Sequence, residues 1–274
     1  MRSTLELKPT CSNHQGGKSE RDFSLRYALS IRSHEWWAAH LTPKEAFIAF
    51  VGERTGVRFD PRVLTLGFAR RFTPHKRAEL LLADPGRLEA IAGRGGGLEG
   101  VFGGKAHPND SAGKEIIQGL LRLRETLRGK ITLVYVENDD LRIARQRVAG
   151  VEVWLNPPLP PMEASGASGM KAALNGGLSL SVLDGWWREG CIEGGTVWSW
   201  WSTKGVRAEA ATARRRTRRR SMPNLSMPSS PCSIATGRGG FGVMRGAIAP
   251  NGSFWIRNDW LSRMCSRPMR AGSG

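Results

Sequence analysis

Only four of the 274 residues are cysteine. Cys11, Cys191, Cys232 and Cys265 form no CxxC pair and stand at no metal-ligand spacing from the histidines, so neither a zinc site nor a disulfide framework is expected. No run approaches the roughly 18 consecutive apolar residues that span a bilayer. The N-terminal MRSTLELKPTCSNHQGG also lacks the apolar core of a signal peptide. A cytoplasmic protein with no metal and no membrane segment is therefore expected. Acidic residues are scarce as well: 24 Asp+Glu against 41 Lys+Arg give a formal net charge of +17. Taken whole, that excess points to nucleic acid.

The excess is unevenly spread. Residues 191–274 hold 14 Lys+Arg and 3 Asp+Glu, against 27 and 21 in residues 1–190. Arg214 to Arg220 contains six arginines in seven positions, enough to adhere to nucleic acid non-specifically and with strong salt dependence. Around that run Gly, Pro, Ser and Arg dominate, with no period of 2 or 3.6 to bury. Residues 191–274 thus read as a basic low-complexity tail, and their composition is that of a GC-rich gene read out of frame. Residues 1–34 are polar and aperiodic and are expected to be poorly ordered. The folded domain is expected over 35–190, and at 40% hydrophobic the chain can fill a sizeable core.

Within that domain strands and helices alternate. From Trp36 to Val51 the apolar residues Trp37, Leu41, Phe47, Ile48 and Val51 recur at mostly helical spacing, and Thr42 and Glu45 form a capping box for a helix starting at Pro43. Strands are expected at 63–69, 98–104, 131–136, 151–155 and 178–183. Helices are expected at 75–84 and 86–92, broken at Pro85, and at 111–127, 139–148 and 168–174. ITLVYV, an almost unbroken apolar run, suits a parallel strand covered on both faces. The pattern predicts a doubly wound, Rossmann-like parallel α/β sheet, whose ligands sit beyond the C-terminal ends of the strands.

Three strand-to-helix junctions carry chemistry. GFARRFTPHKR places Arg70, Arg71, Lys76 and Arg77 directly after a strand, where they suit a dianionic phosphate or form a solvated basic turn. GGKAHP sets glycines beside Lys105 and His107, and His107 reads as a structural partner rather than a catalyst. EASGASGMKAALNGG is a small-residue loop opening a helix, with Lys171 in its first turn. Exposed backbone N–H groups and the helix dipole make such a start an anion site, although GxxxxGK[ST] is absent. Lys171 beside it is either an amine nucleophile or an ordinary surface lysine.

EASGASGMKAALNGGLSLSVLDGWW resembles the pyridoxal-phosphate lysine segment of α-glucan (glycogen or maltodextrin) phosphorylases. GFARRFTPHKR resembles the family's phosphate-site segment, and GKAHPNDSAGKEII and VEVWLNPPLPPMEASG match its short bacterial and archaeal branch in order and spacing. The similarity runs from about Trp36 to Glu189. It implies the C-terminal half of a GT-B glycosyltransferase-like fold, with pyridoxal 5′-phosphate as cofactor. Lys171 would carry the cofactor, and Ala167, Ser168 and Gly169 would hold its phosphate. Arg71 and Lys76 would hold the substrate phosphate, and Glu163, Ser165 and Gly166 the glucose hydroxyls. The implied reaction is phosphorolysis of α-1,4-glucan to glucose 1-phosphate, a hexosyl transfer. Because the resemblance covers only the second of the family's two large domains, little turnover is expected from this chain alone. Two departures stand out: Glu137-Asn-Asp139 replaces an acidic residue followed by tyrosine, and the match stops at Gly190. Alternatives on the same fold are a non-catalytic fragment binding cofactor or sugar phosphate, and a nucleotide-sugar-dependent transferase. A homodimer is compatible with the resemblance.

Overall fold

Five apolar runs pair as one parallel sheet in the computed structural model, which describes residues 29–137, 140–191 and 244. The strands are β1 (Leu64–Ala69), β2 (Leu98–Gly103), β3 (Thr132–Val136), β4 (Val153–Asn156) and β5 (Leu178–Ser181), in the order β3-β2-β1-β4-β5. All four pairings are parallel. The expectations for the N-terminal segment up to residue 28 and for the tail from residue 192, arginine run included, lie outside the described residues, Met244 apart. Asn138 and Asp139, the core of one departure from the family pattern, lie outside them too.

The helices are α1 (Ser33–Thr55), α2 (Pro85–Gly95), α3 (Ser111–Thr126), α4 (Leu141–Gly150), α5 (Ala167–Leu174) and the short α6 (Trp187–Gly190). Aspartate caps start three of them: Asp84, Asp110 and Asp140 accept from the backbone N–H of Arg87, Gly113 and Ile143 at 3.0, 2.9 and 2.8 Å. Pro85 does not break a helix but begins one, since its missing N–H is harmless in the first turn. The helix expected over 75–84 is instead two 3₁₀ turns, Pro74–Lys76 and Ala78–Leu82.

Successive side chains of the strands go to opposite faces. Phe102 and Leu133 join Leu66, Phe68, Phe72 and Leu88 on one face, while Val101, Val134 and Val136 join Phe47, Val51, Val148 and Trp154 on the other. Each large side chain so buried contributes roughly 1.5–3 kcal/mol. Met244, from beyond the sheet-forming region, is fully buried in the first cluster.

Helix α1 runs ten residues further upstream than its capping box suggested. Its buried stripe, Trp36, His40, Lys44, Phe47 and Val51, keeps helical spacing straight across Pro43, which sits in the interior. Tertiary contacts hold that stripe together and outweigh the hydrogen bond lost at the proline. The Lys44 ammonium, completely buried, lies 2.7 Å from the Glu152 carboxylate and donates at 2.8 Å to the carbonyl of Val63. His40 Nε2 meets the same Glu152 oxygen at 3.0 Å, and the other oxygen accepts from the backbone N–H of Thr65 at 2.8 Å. Burial alone would raise the Glu152 carboxyl, but Lys44 and His40 hold it below the usual carboxylate range. This network ties α1 to the N-terminal ends of β1 and β4, opposite the end where ligands bind such sheets.

Candidate functional site

The sheet order reverses between β1 and β4, and the chains leaving these two strands converge. Beyond β1 the backbone keeps pairing with the segment after β2: Arg70 N–H donates to the Gly103 carbonyl and Phe72 N–H to that of Lys105, both at 3.1 Å. A Cβ on Gly104, whose φ is +129°, would stand 1.9 Å from the Arg70 carbonyl oxygen, so only glycine allows this approach. Phe72 is buried between Phe68 and Tyr135, which leaves Arg71 facing outward. Further on, Arg77 adopts a left-handed conformation at φ 49°. Its guanidinium donates to the carbonyls of Pro157 and Pro158 at 3.0 and 2.9 Å, and Leu159 N–H donates to the His75 carbonyl at 2.7 Å. These bonds lash the loop after β4 to the loop after β1.

The result is a charge cluster with Glu163 at its centre. One Glu163 oxygen accepts from Arg70 Nη2 at 2.5 Å and the other from Lys76 Nζ at 2.8 Å. The side chains of Glu163 and Arg70 are 4% and 8% exposed, that of Lys76 18%. Burial pushes the Glu163 carboxyl up, but hydrogen bonds and charge from Arg70 and Lys76 bring it below the usual range. Its backbone N–H donates to Asp184 at 2.9 Å. Arg70 Nη1 is buried with no hydrogen-bond partner among the described residues. His75 nearby is held below its ordinary range by burial and by the charges of Lys76 and Arg70. The site therefore disfavours further cations and retains a donor for an anion.

The loop then enters α5. Gly166, at φ +90°, packs where a Cβ would press on the Trp186 ring at 2.8 Å. Trp186 N–H donates to the Ser165 carbonyl at 3.0 Å, fixing the loop against the segment after β5. A cavity of about 400 Å³ opens here, lined by Ala164, Ser165, Met170, Asp184, Trp186 and Arg188 among others. Gly169 N–H is taken by the Gly166 carbonyl at 3.0 Å. The N–H groups of Ala167 and Ser168, ahead of it, have no acceptor among the described residues. Lys171 is the fifth residue of α5, which begins at Ala167, one residue ahead of the expected start. Its side chain is half-buried and its ammonium makes no ion pair or hydrogen bond among the described residues.

Of the expected site residues, then, direct contacts bring Lys76 and Glu163 together, and Ser165 and Gly166 follow on the same loop. Arg71 is exposed without a partner among the described residues. Arg70 was expected only as one of four cations of the junction after the first strand, and Asp184 was not singled out by sequence reasoning. The Arg-Arg pair signalled a basic turn, but which arginine faces inward depends on the ladder beyond β1. His107 is exposed and, among the described residues, accepts only a local bond from Asn109 N–H at 3.2 Å. No group of metal-ligating side chains, and no helix long and apolar enough to cross a membrane, occurs among the described residues.

Comparison with known proteins converges on one family. The family model for carbohydrate phosphorylase matches residues 32–190. The maltodextrin phosphorylase of Thermococcus litoralis is 46% identical over 192 residues, covering 64% of this chain and 23% of that protein. The glycogen phosphorylase of Mycobacterium bovis is 45% identical over 152 residues, 55% of this chain and 18% of the relative. That of Aquifex aeolicus is 41% identical over 178 residues, 58% and 26% respectively. The chain thus spans about a quarter or less of the length of these relatives. With the family match covering more than half of it, from α1 through the charge cluster to α6, the chain belongs to the carbohydrate phosphorylase family.

Proposed function

We propose that this chain forms the phosphate- and cofactor-binding side of an α-glucan phosphorylase site, which acts on α-1,4-glucan and inorganic phosphate to release glucose 1-phosphate. The observation that carries the reading is the cluster of Arg70, Lys76 and Glu163 at the switch point of the sheet, with an arginine donor unfilled among the described residues. Cations there suit a phosphate dianion.

Pyridoxal 5′-phosphate fits the residues present. Lys171 offers an amine without a competing partner among the described residues, and the N–H groups of Ala167 and Ser168 offer an anion site at a helix start. When bound, the cofactor supplies a phosphate group that exchanges a proton with the substrate phosphate. Lys171 anchors it, and the α5 start holds its phosphate. Lys76 and the exposed Arg71, with Arg70 beside them, bind the substrate phosphate, neutralising charge as the glycosidic bond breaks. Glu163 accepts from glucose hydroxyls, while Ser165 and Gly166 shape the sugar pocket against Trp186. Retention of the cofactor after dialysis, followed by absorbance, tests the reading. Close to one equivalent should stay with the unaltered chain and none with Lys171→Ala; equal retention by both would overturn it. Turnover needs both walls of the cleft in register. The chain alone, given maltodextrin and phosphate, should release little glucose 1-phosphate.

A further inference from the structure

We infer that Glu163 is an internal anion that competes with the substrate phosphate for Arg70 and Lys76, so that phosphate binding and the release of Glu163 toward sugar hydroxyls are one coupled event. The inference rests on the phosphorylase reading of this site and concerns how it is regulated.

Two cations share a single carboxylate, Arg70 Nη2 on one oxygen and Lys76 Nζ on the other. Asp184 adds no direct countercharge to this pair, since one of its oxygens takes the Glu163 N–H and the other lies 3.8 Å from Arg188. The cluster thus keeps one positive charge in excess, and exposed Arg71 stands next to it in sequence. It also keeps an unfilled donor: Arg70 Nη1 has no partner among the described residues, in a side chain more than nine-tenths buried. Leaving such a donor unmade is unfavourable, and a carboxylate already bonded through both oxygens does not reach it. A phosphate dianion carries more acceptor oxygens and more charge, so it can take Nη2, Nη1 and Nζ together. Once it does, Glu163 is a buried carboxylate without cations and needs other donors. Sugar hydroxyls are such donors. Phosphate therefore creates the acceptor that the sugar uses, and by linkage the sugar strengthens phosphate binding to the same degree.

The test is titration calorimetry of inorganic phosphate, at fixed ionic strength, into the 274-residue chain and its Glu163→Gln variant. Glutamine keeps the shape and removes the competing charge, so the variant should bind phosphate about tenfold more tightly. In the unaltered chain, carbon-detected NMR of the Glu163 carboxyl should show it titrating at higher pH once phosphate is saturating. This second measurement decides alone if the variant does not fold. Equal or weaker binding by Glu163→Gln, or a Glu163 titration unmoved by phosphate, overturns the coupling while the phosphate site stands. Absence of phosphate binding by both chains overturns the reading of the site and the inference with it.

Discussion

Replacing Glu152 by glutamine leaves the fully buried Lys44 ammonium without its countercharge. One Glu152 oxygen serves Lys44 and His40, and the other serves Thr65 N–H. Glutamine has a single acceptor oxygen, so one of these sets must face its NH₂ group. At 2.7 Å and an effective dielectric of about 20, the Lys44–Glu152 attraction is about 6 kcal/mol before desolvation offsets it. Breaking a buried pair by removing one partner costs about 3–5 kcal/mol, because the remaining charge stays buried. For a domain of this size that corresponds to a fall in Tm of roughly 10 °C. The sign of the pH dependence follows from the lowered Glu152 pKa. Its stabilisation is present above the ordinary carboxylate range and is lost as pH falls through the folded value. Urea unfolding at pH 7 and in acid therefore measures a gap between the two chains that closes on acidification. Adding Lys44→Met should recover part of the loss, since neither charge then remains. A cost under about 1 kcal/mol at pH 7, or a gap that widens in acid, would refute the claim that this network fastens α1 to the sheet.

Glu99 has the opposite dependence. Its carboxyl accepts from Asp60 N–H at 2.9 Å, its other oxygen is buried without a partner, and burial pushes it up to about 7. The folded chain then holds an extra proton between pH 4.5 and about 7, so this group's contribution falls as pH rises through that window. Glu99→Gln should gain about 2 kcal/mol on the unaltered chain between pH 5 and pH 8, read from urea midpoints; no relative gain would contradict it. Gly104→Ala should cost about 2–4 kcal/mol through its left-handed φ and the clash with the Arg70 carbonyl. It should also weaken phosphate binding by displacing Arg70, and a variant with unchanged stability and affinity would show that the loop yields freely.

The sheet was legible because its strands are short apolar-rich runs, largely buried along their length, that alternate with helical segments. ITLVYV and LSLSVL need no distant information. Helix α1 was only half legible. Counting apolar residues selects Trp37 and Leu41, whereas the buried stripe holds His40 and Lys44, whose partner Glu152 lies more than a hundred residues away. Pro85 and Pro43 reversed their expected roles for a related reason: aspartate capping and tertiary burial decided where the helices begin. EASGASGMK and ARRFTPHK lie beyond β4 and β1, at the strand ends where the sequence pattern put them. Their mutual bonds did not follow from either segment. That Glu163 occupies the cations, that Arg70 rather than Arg71 turns inward, and that Asp184 holds the Glu163 backbone depend on the β1 and β4 loops meeting.

Lys171 is proposed to anchor pyridoxal 5′-phosphate beside this cation cluster. Reduction of the cofactor-treated chain with borohydride, followed by peptide mapping, tests it most directly. One stable label is expected, on the peptide bearing Lys171, and it should be lost in Lys171→Arg. An unmodified Lys171, or label spread evenly over surface lysines such as Lys105 and Lys130, would contradict it.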